Sequence, residues 1–276
     1  MAFYGSSEQS AGACTPIKFI AYYGSRRFLL IASSFLLDRS KDPYYRLSAT
    51  LLFACREPFK LEIGDGTELT AHAVLIAPKV LRKRLIALNS DLFIFDIPIQ
   101  SPEFMALKPV FQGREVLPLN QEAFVHLQPA MEQARRGVSS PEDIQKLLTE
   151  AVKTFAPYSP PNRVLDSRVV RVMELIHEAP LGTVNLELLA KQVHLSPSRL
   201  RHLFSEQTGS TIRHFARWSA TWRVVELWSR GRALTELAFE AGFYDLAHLD
   251  HAFMEVFGLN PSTIIDPENV TLIHCL

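Results

Sequence analysis

The chain of 276 residues is long enough for two domains, and its content of 47% hydrophobic and 21% charged residues is typical of a folded protein. The formal net charge is zero, and the three scattered cysteines form no C-x-x-C pair, which excludes a disulfide framework and a zinc site of that kind. The apolar runs are too short to cross a bilayer and the N-terminal segment lacks the features of a signal peptide, so we expect a cytoplasmic protein without a membrane partner.

The N-terminal third of the chain contains apolar runs of strand length that are separated by turn residues. Gly64-Asp65-Gly66 is typical of a hairpin turn, and Pro58, Pro78 and Pro98 interrupt the remaining runs. Several short strands with this spacing predict an antiparallel β-barrel or sandwich. The predicted strands are residues 27–37, 47–56, 59–63, 69–77 and 92–97.

Helical periodicity replaces this pattern after Ser101-Pro102-Glu103, which is typical of a helix cap and first turn. A second helix is predicted over residues 121–135, with a kink at Pro129, and a third runs from Ser140-Pro141 to residue 155. We expect residues 120–155 to form a helical hairpin that mediates dimerisation. Residues 156–163 are proline-rich and predict a linker, which closes an N-terminal domain of residues 1–155.

The C-terminal part predicts an all-α domain over residues 164–265, followed by a tail at 266–276. Ser196 and Asp245 are typical N-caps, and Pro197 suits the first helical position. A long helix at 211–229 would span roughly 28 Å at about 1.5 Å per residue, close to the roughly 34 Å between successive major grooves. The other predicted helices are 166–178, 185–193, one from Ser196, one from Thr235 and one from Asp245 to about 257.

This region contains two copies of one helix-turn-helix pattern. Leu189-Ala190 corresponds to Leu237-Ala238, and the positions that follow correspond with one extra residue in the second turn. A duplicated helix-turn-helix indicates two helices held in neighbouring major grooves of DNA. The later matched pairs are Ser196 with Asp245, Leu200 with Leu249, Phe204 with Phe253, and Gly209 with Gly258.

The two copies differ in charge. Residues 196–232 hold seven arginines against two glutamates, whereas residues 233–265 hold five acidic residues and no lysine or arginine. The first copy can therefore neutralise phosphates, and Arg199 or Arg201 can bind guanine through two hydrogen bonds. The outward face of its second helix is predicted to carry Ser198, Arg199, Arg201, His202 and Ser205.

Residues 164–265 resemble the DNA-binding domain of the AraC/XylS family of bacterial transcription regulators. The resemblance implies base contacts by Ser198, Arg201 and His202 in the first copy. Where family members usually carry basic residues this chain has Met254-Glu255, which predicts a weaker or shape-guided contact by the second copy. The resemblance rests on Ala241-Gly242-Phe243, Ala247-His248-Leu249, Phe253, Phe257-Gly258-Leu259 and Asn260-Pro261-Ser262.

The predicted DNA-contacting set joins the motif positions to the arginines of the connecting helix, which suit phosphate contacts. Protonation of His248 or His251 would help the second copy to bind. The set is Ser196, Ser198, Arg199, Arg201, His202, Arg213, Arg217, Arg223, Leu246, Ala247, His248, Asp250 and His251.

The N-terminal half is similar only in outline to the cupin-like sensor barrel of the same family. Residues 79–84 are basic, and we interpret them as a solvated sheet edge. The alternative is that Arg82 or Arg84 binds an anionic effector. His72 is interpreted as a core or rim histidine, or as an effector contact. The candidate effector-binding set is Arg46, His72, Arg82 and Arg84.

We predict a transcription regulator, of the activator type, that is not an enzyme and has no metal or cofactor. His248 and His251 have helical spacing, but no fourth metal ligand is evident. The expected partners are promoter DNA, RNA polymerase, a small-molecule effector and a second copy of the chain. The alternative is a ligand-binding or enzymatic cupin-like protein whose acidic second helix-turn-helix serves protein interaction. Salt titration of DNA affinity separates the two.

Overall fold

The computed structural model shows one sheet with helices packed against both of its faces. It joins residues from both ends of the chain, because a strand near the C-terminus lies beside the first strand. The residues that the structure describes are 19–24, 27–99, 101–156, 165–228, 232–264 and 270–274.

Nine strands of the described residues form this sheet. Neighbouring strands are antiparallel, except that the last strand pairs in parallel with the first. The strands are β1 Phe19–Gly24, β2 Arg27–Asp38, β3 Ala49–Ala54, β4 Phe59–Ile63, β5 Glu68–Ala71, β6 Ala73–Ile76, β7 Arg82–Ile97, β8 Val116–Pro118 and β9 Val270–His274.

The sheet is open, and the predicted closed barrel is wrong, although the α+β class is confirmed. The long strand β7 pairs with β2 on one side, while β3 and β4 divide its other side between them. The path of described strands then ends at β8 on one edge and β9 on the other, and these two strands do not pair. A barrel closes only when its edge strands hydrogen-bond to each other. A bulge at Ser34, where φ is 78°, breaks the register between β2 and β7.

Two predicted strands differ most from the observed ones. The predicted strand at 92–97 is the second half of β7, because Arg82, Lys83 and Arg84 obscure the alternation in its first half. The predicted strand at 69–77 is interrupted at His72, where β5 leaves to pair with β4 and β6 leaves to pair with β3. Strands β1, β8 and β9 were not predicted.

The alternation of side chains along each strand divides the core into two parts. Leu29, Phe53 and Phe93 lie on one face, whereas their neighbours Phe28, Leu52 and Ile94 lie on the other, as the period of two requires. The first set packs with the N-terminal helices and the second with the C-terminal helices. One sheet therefore serves as the wall of both hydrophobic cores.

The N-terminal helices follow the predicted caps. Ser101 accepts a hydrogen bond from the backbone of Phe104, and Ser140 forms a reciprocal capping box with Asp143. The predicted helix at 121–135 is divided before Pro129, because proline suits the first turn of a new helix better than the interior of an old one. The helices are α1 Pro102–Phe111, a 3₁₀ segment Gln121–Leu127, α2 Gln128–Arg135 and α3 Pro141–Phe155.

The C-terminal helices form the predicted all-α region. A single turn of 3₁₀ helix, Leu181–Thr183, precedes the first helix-turn-helix. No described helix is both long and apolar enough to cross a membrane. The helices are α4 Ser167–Glu178, α5 Leu186–Gln192, α6 Pro197–Thr208, α7 Ile212–Leu227, α8 Leu234–Ala241, α9 Leu246–Phe257 and α10 Pro261–Ile264.

The predicted domain boundaries remain predictions. Residues 157–163 of the predicted linker lie outside the described residues, and so do residues 266–269 of the predicted tail. The described part of that tail forms β9, whose residues from Val270 onward pair with β1 from Phe19 onward. The end of the chain thus returns to the N-terminal sheet.

Candidate nucleic-acid interface

The first helix-turn-helix consists of α5 and α6. Asn185 caps α5, and the Ser196 hydroxyl accepts a hydrogen bond from the Arg199 backbone at 3.2 Å, which starts α6. Between the two helices, His194 adopts the left-handed conformation with φ 54°. Gly209 ends α6 in the same conformation, with φ 66°, as glycine permits.

The second helix-turn-helix, α8 and α9, repeats this geometry. The Asp245 carboxylate accepts a hydrogen bond from the His248 backbone at 2.7 Å, and Gly258 ends α9 with φ 72°. Gly242 takes the left-handed position of the turn with φ 88°. A Cβ at Gly242 would lie 2.4 Å from the Leu181 backbone nitrogen, so glycine is required for close approach as well as for conformation. The helices α6 and α9 each have 12 residues.

The outward face of α6 is open to solvent, as predicted. Leu200, Leu203 and Phe204 are buried and fix the rotation of the helix. The polar side chains of the opposite face therefore project as a cationic ridge. This α6 ridge consists of Ser198, Arg199, Arg201, His202 and Ser205, which are all exposed.

The corresponding face of α9 is less basic and partly covered. Ala247, Asp250 and His251 are exposed, whereas Leu246 and His248 are half-buried. The His248 ring packs edge-on against Phe243, with ring centroids 5.2 Å apart. A carboxylate on this face repels phosphate, so α9 offers a weaker surface for DNA than the α6 ridge.

The connecting helix α7 has 16 residues and is therefore about 24 Å long. Of its predicted phosphate contacts, Arg213 is exposed. Arg217 instead lies 3.3 Å from the Glu255 carboxylate, and Arg223 donates a hydrogen bond to the His177 carbonyl. The last two arginines thus bind within the domain.

Tryptophans fix α7 to its surroundings. Trp218 and Trp222 are buried, and Trp222 lies with its ring centroid 5.2 Å from Phe257 and 6.0 Å from Phe28 of the sheet. The connecting helix is consequently packed against the second unit and the sheet together.

A cleft of about 500 Å³ lies between the two units and carries basic side chains from both. Arg201 comes from α6, Arg213 and Arg217 come from α7, and His248 comes from α9. Apolar residues line the rest, namely Leu181, Val184, Leu186, Ile212 and Ala216, together with Thr211. Helices α6 and α9, the two helices predicted to enter the major grooves, therefore both border this positively charged cleft.

Two of the candidate effector-binding residues meet inside the sheet. Arg46 and Arg82 are 3% and 2% exposed, and the Arg46 Nη1 lies 3.5 Å from the Asp96 carboxylate. Arg82 donates a hydrogen bond to the Thr50 hydroxyl at 2.8 Å. Burial lowers the pKa of Arg82 to about 10. The interpretation of residue 82 as part of a solvated edge is therefore wrong, because β7 turns this side chain inward.

The other two candidates lie elsewhere. His72 is half-buried between β5 and β6. Arg84 is partly exposed, 3.3 Å from Asp38 and 3.7 Å from Glu62, so its charge is balanced on the sheet. Only Arg46 and Arg82 share one buried site.

Several residues that matter here were not predicted. Asp96 is a buried carboxylate inside an otherwise apolar run, and that pattern is a signal for a buried partner. Tyr45 donates a hydrogen bond from its hydroxyl to Glu255 at 2.9 Å, and Lys79 donates to the Gly209 carbonyl. No local pattern marks the last two, because their partners are distant in the sequence.

Comparison with known proteins agrees with this geometry. The helix-turn-helix domain family matches residues 189–266. No curated protein sequence matches the chain. Among solved structures, an apo variant of ToxT from Vibrio cholerae is 13% identical with a TM-score of 0.56, and it covers 85% of this chain and 96% of ToxT.

Two further ToxT structures contain ligands. Vibrio cholerae ToxT bound to an unsaturated fatty acid is 12% identical with a TM-score of 0.52, and it covers 85% of this chain and 94% of that one. ToxT bound to (E)-4-(8-methylnaphthalen-1-yl)but-3-enoic acid is 12% identical with a TM-score of 0.53, covering 90% and 98%. At this identity the similarity shows the fold. The match at residues 189–266 confirms the resemblance for this region, which is a helix-turn-helix domain of the AraC type.

Proposed function

We propose that this protein regulates transcription by binding promoter DNA mainly through the α6 ridge, under the control of an anionic small molecule. The observation that carries the proposal is the solvent-exposed, cationic outer face of α6 in a helix-turn-helix domain. Recognition helices of this motif contact base edges from the major groove with their N-terminal residues. The ridge begins at Ser198, one residue after the first helical position. Its position on the helix and its positive charge therefore suit contacts with DNA in the major groove.

Within the ridge, Arg201 is the proposed specificity residue. Its guanidinium can donate two hydrogen bonds to guanine O6 and N7, and it also borders the cleft between the two units. Ser198 and His202 add nearby polar contacts, and Ser196, Arg199 and Arg213 suit phosphate contacts. Because Arg217 and Arg223 are held within the domain, we assign them a positioning role.

In the second unit, the exposed Ala247, Asp250 and His251 and the half-buried Leu246 and His248 are the residues nearest to the DNA. Asp250 cannot bind phosphate, although it can accept a hydrogen bond from cytosine N4. The second unit therefore adds a weaker contact.

A mobility-shift assay with Arg201→Ala tests the assignment. On a cognate duplex selected with the wild-type protein, we expect a loss of about 1–3 kcal/mol, while binding to random duplex changes little. Arg171→Ala is the matched control, since Arg171 is an exposed arginine on α4 that pairs with Glu174 at 3.1 Å. Equal effects of the two variants would remove the role of Arg201. Failure of the wild-type protein to bind any duplex at low salt would favour the alternative function as a protein-interaction module.

The proposed effector is an organic acid. Arg46 and Arg82 place two positive charges beside the single charge of Asp96, and the buried Nε atoms of both arginines have no hydrogen-bond partner. Buried guanidinium N–H groups that lack acceptors are costly, and a carboxylate would satisfy them. The organic acids bound to ToxT, which has the same fold, support this ligand class.

Calorimetric titration with oleate against oleyl alcohol tests the effector class. We expect the acid to bind and the alcohol, which has the same chain length without the charge, to bind at least about tenfold more weakly. Equal binding of both compounds would contradict a role for the buried arginines in recognising the ligand.

We further propose a homodimer and a contact with RNA polymerase, as expected for an activator. Val125 and Val138 are 55% and 70% exposed within the helical segment 120–155, which supports a dimer contact there. Analytical ultracentrifugation of Val138→Glu should show more monomer than the wild type. An unchanged sedimentation profile would place the dimer contact elsewhere.

A further inference from the structure

The N-terminal domain contacts the C-terminal end of each recognition helix with one cation. Lys79 donates a hydrogen bond from Nζ to the Gly209 carbonyl at the end of α6. Arg46 donates from Nη2 to the Phe257 carbonyl at the end of α9, at 2.7 Å. Gly209 and Gly258 are equivalent positions of the repeat, so the two contacts fall at matching ends of the two units. Positive charge is favourable there because a helix C-terminus carries partial negative charge.

The two cationic residues are joined to each other through their backbones. The Lys79 backbone nitrogen donates a hydrogen bond to the Arg46 carbonyl at 2.7 Å. The Arg46 side chain is buried beside Asp96 of β7, the longest strand of the sheet. Since this hydrogen bond joins the backbones of Lys79 and Arg46, the two residues cannot move apart without breaking it. We call this pair the bracket.

Additional contacts fix the α9 end of the bracket. The Tyr44 ring lies so close to Gly258 that a Cβ there would be 2.3 Å from it. The Tyr45 hydroxyl donates to Glu255, which also lies 3.3 Å from Arg217 of α7. The N-terminal domain thus holds the connecting helix and the second recognition helix at the same place.

The bracket fixes the spacing of the two units and does not cover the faces of α6 and α9 that are proposed to contact DNA. Recognition helices enter the groove with their N-terminal ends. The bracket binds the opposite ends, and the α6 ridge remains exposed. The connecting helix α7 joins the two units once, through the chain. The bracket adds to α7, and to the contact of the Gly242 turn with residues 181–182, a connection through the N-terminal sheet, and each added connection restricts the relative movement of the two units further.

We propose that the Arg46–Lys79 bracket sets the half-site spacing that this protein recognises, which makes the N-terminal sheet a determinant of DNA specificity. This inference rests on the proposed function in DNA binding. One additional base pair moves a half-site by about 3.4 Å and rotates it by about 34° around the duplex. A rigidly bracketed pair of helices cannot follow that displacement, whereas a pair without the bracket can adapt more freely.

Affinity as a function of half-site spacing tests the bracket in the full-length protein. The probes are duplexes that carry the half-sites selected by the wild-type protein, with their centres separated by about 9 to 13 base pairs around one helical turn. For the wild type we expect one preferred spacing, with affinity lower by about tenfold or more one base pair away, as for the loss of one good base contact.

Lys79→Ala and Tyr45→Phe should flatten this profile and leave affinity for a duplex with one half-site unchanged. Lys79 is exposed, and Tyr45 is half-buried but keeps its ring in Tyr45→Phe, so both variants should fold, and thermal unfolding verifies this. Lys83→Ala is the control, because Lys83 pairs with Glu62 at 3.7 Å within the sheet and should keep the wild-type profile.

The outcomes separate the two levels of the proposal. A wild-type protein that binds every spacing equally, or variants that retain the sharp preference, would overturn the bracket while DNA binding stands. A wild-type protein that binds none of the duplexes would overturn the proposed function itself.

Discussion

Substitution of Gly242 by alanine tests how the second helix-turn-helix turn is built. The residue has φ 88°, and an added Cβ would lie 2.4 Å from the Leu181 nitrogen and 3.0 Å from the Gly182 nitrogen. These neighbours are backbone atoms and cannot rotate away. The left-handed conformation costs a non-glycine residue about 1–2 kcal/mol, and overpacking adds about 1–3 kcal/mol. We expect Gly242→Ala to lower the free energy of unfolding by about 2–5 kcal/mol.

Gly209→Ala is the matched control for this substitution. Gly209 has a similar φ of 66°, but no atom lies within 4 Å of a Cβ built there. Only the conformational cost of about 1–2 kcal/mol then applies. Urea denaturation followed by the fluorescence of the buried tryptophans measures both variants. If Gly242→Ala is no less stable than Gly209→Ala, the close approach of the turn to residues 181–182 is refuted.

Three further changes test other parts of the structure. Trp222→Ala should lower stability by about 3–5 kcal/mol in thermal unfolding, because the buried ring joins α7 to the sheet; a loss below about 1 kcal/mol would contradict that packing. Burial and the Glu255 carboxylate raise the pKa of Tyr45 to about 12, so the stability that this phenol contributes is present below the unfolded pKa of about 10 and is lost between about pH 10 and 12. Tyr45→Phe should reduce the loss of stability over this pH range, and an identical pH profile would refute the assignment. Arg213→Ala should make the plot of log affinity against log salt shallower by about one unit, and an unchanged slope would exclude a phosphate contact.

The local features of the recognition region could be predicted from sequence because they are encoded within a few residues. Ser196 with Pro197 marks the start of α6, and Gly209 marks its end. Apolar residues at helical spacing then determine which side chains face outward, so the exposed α6 ridge follows from pattern alone. The second unit follows the same rules.

The contacts between domains could not be predicted in this way. The hydrogen bond from Arg46 to Phe257 joins residues 211 positions apart, and the one from Lys79 to Gly209 joins residues 130 positions apart. Neither side chain differs in sequence from an ordinary solvated cation. Arg217 and Arg223 were predicted to contact phosphates because their partners are also distant in sequence. Only the fold shows that these partners are Glu255 and His177.

The topology of the sheet also could not be predicted from the sequence pattern. Alternation of apolar residues identifies strands, but it does not state which strand edges meet. The closed barrel failed because β3 and β4 share one side of β7 and leave β8 and β9 at open edges. The first half of β7 was not recognised as a strand because it contains several basic residues. One of them, Arg82, points inward to Thr50 rather than outward to water.

Binding of the α6 ridge in the major groove can be measured by protection of guanine N7 from methylation, with the full-length protein bound to duplexes that it selects from random sequence. We expect a protected guanine in the half-site bound by the first unit, and in Arg201→Ala this guanine should lose its protection while flanking contacts persist. Selected duplexes with no protected guanine, or protection that is unchanged in Arg201→Ala, would contradict binding of the major groove by the α6 ridge.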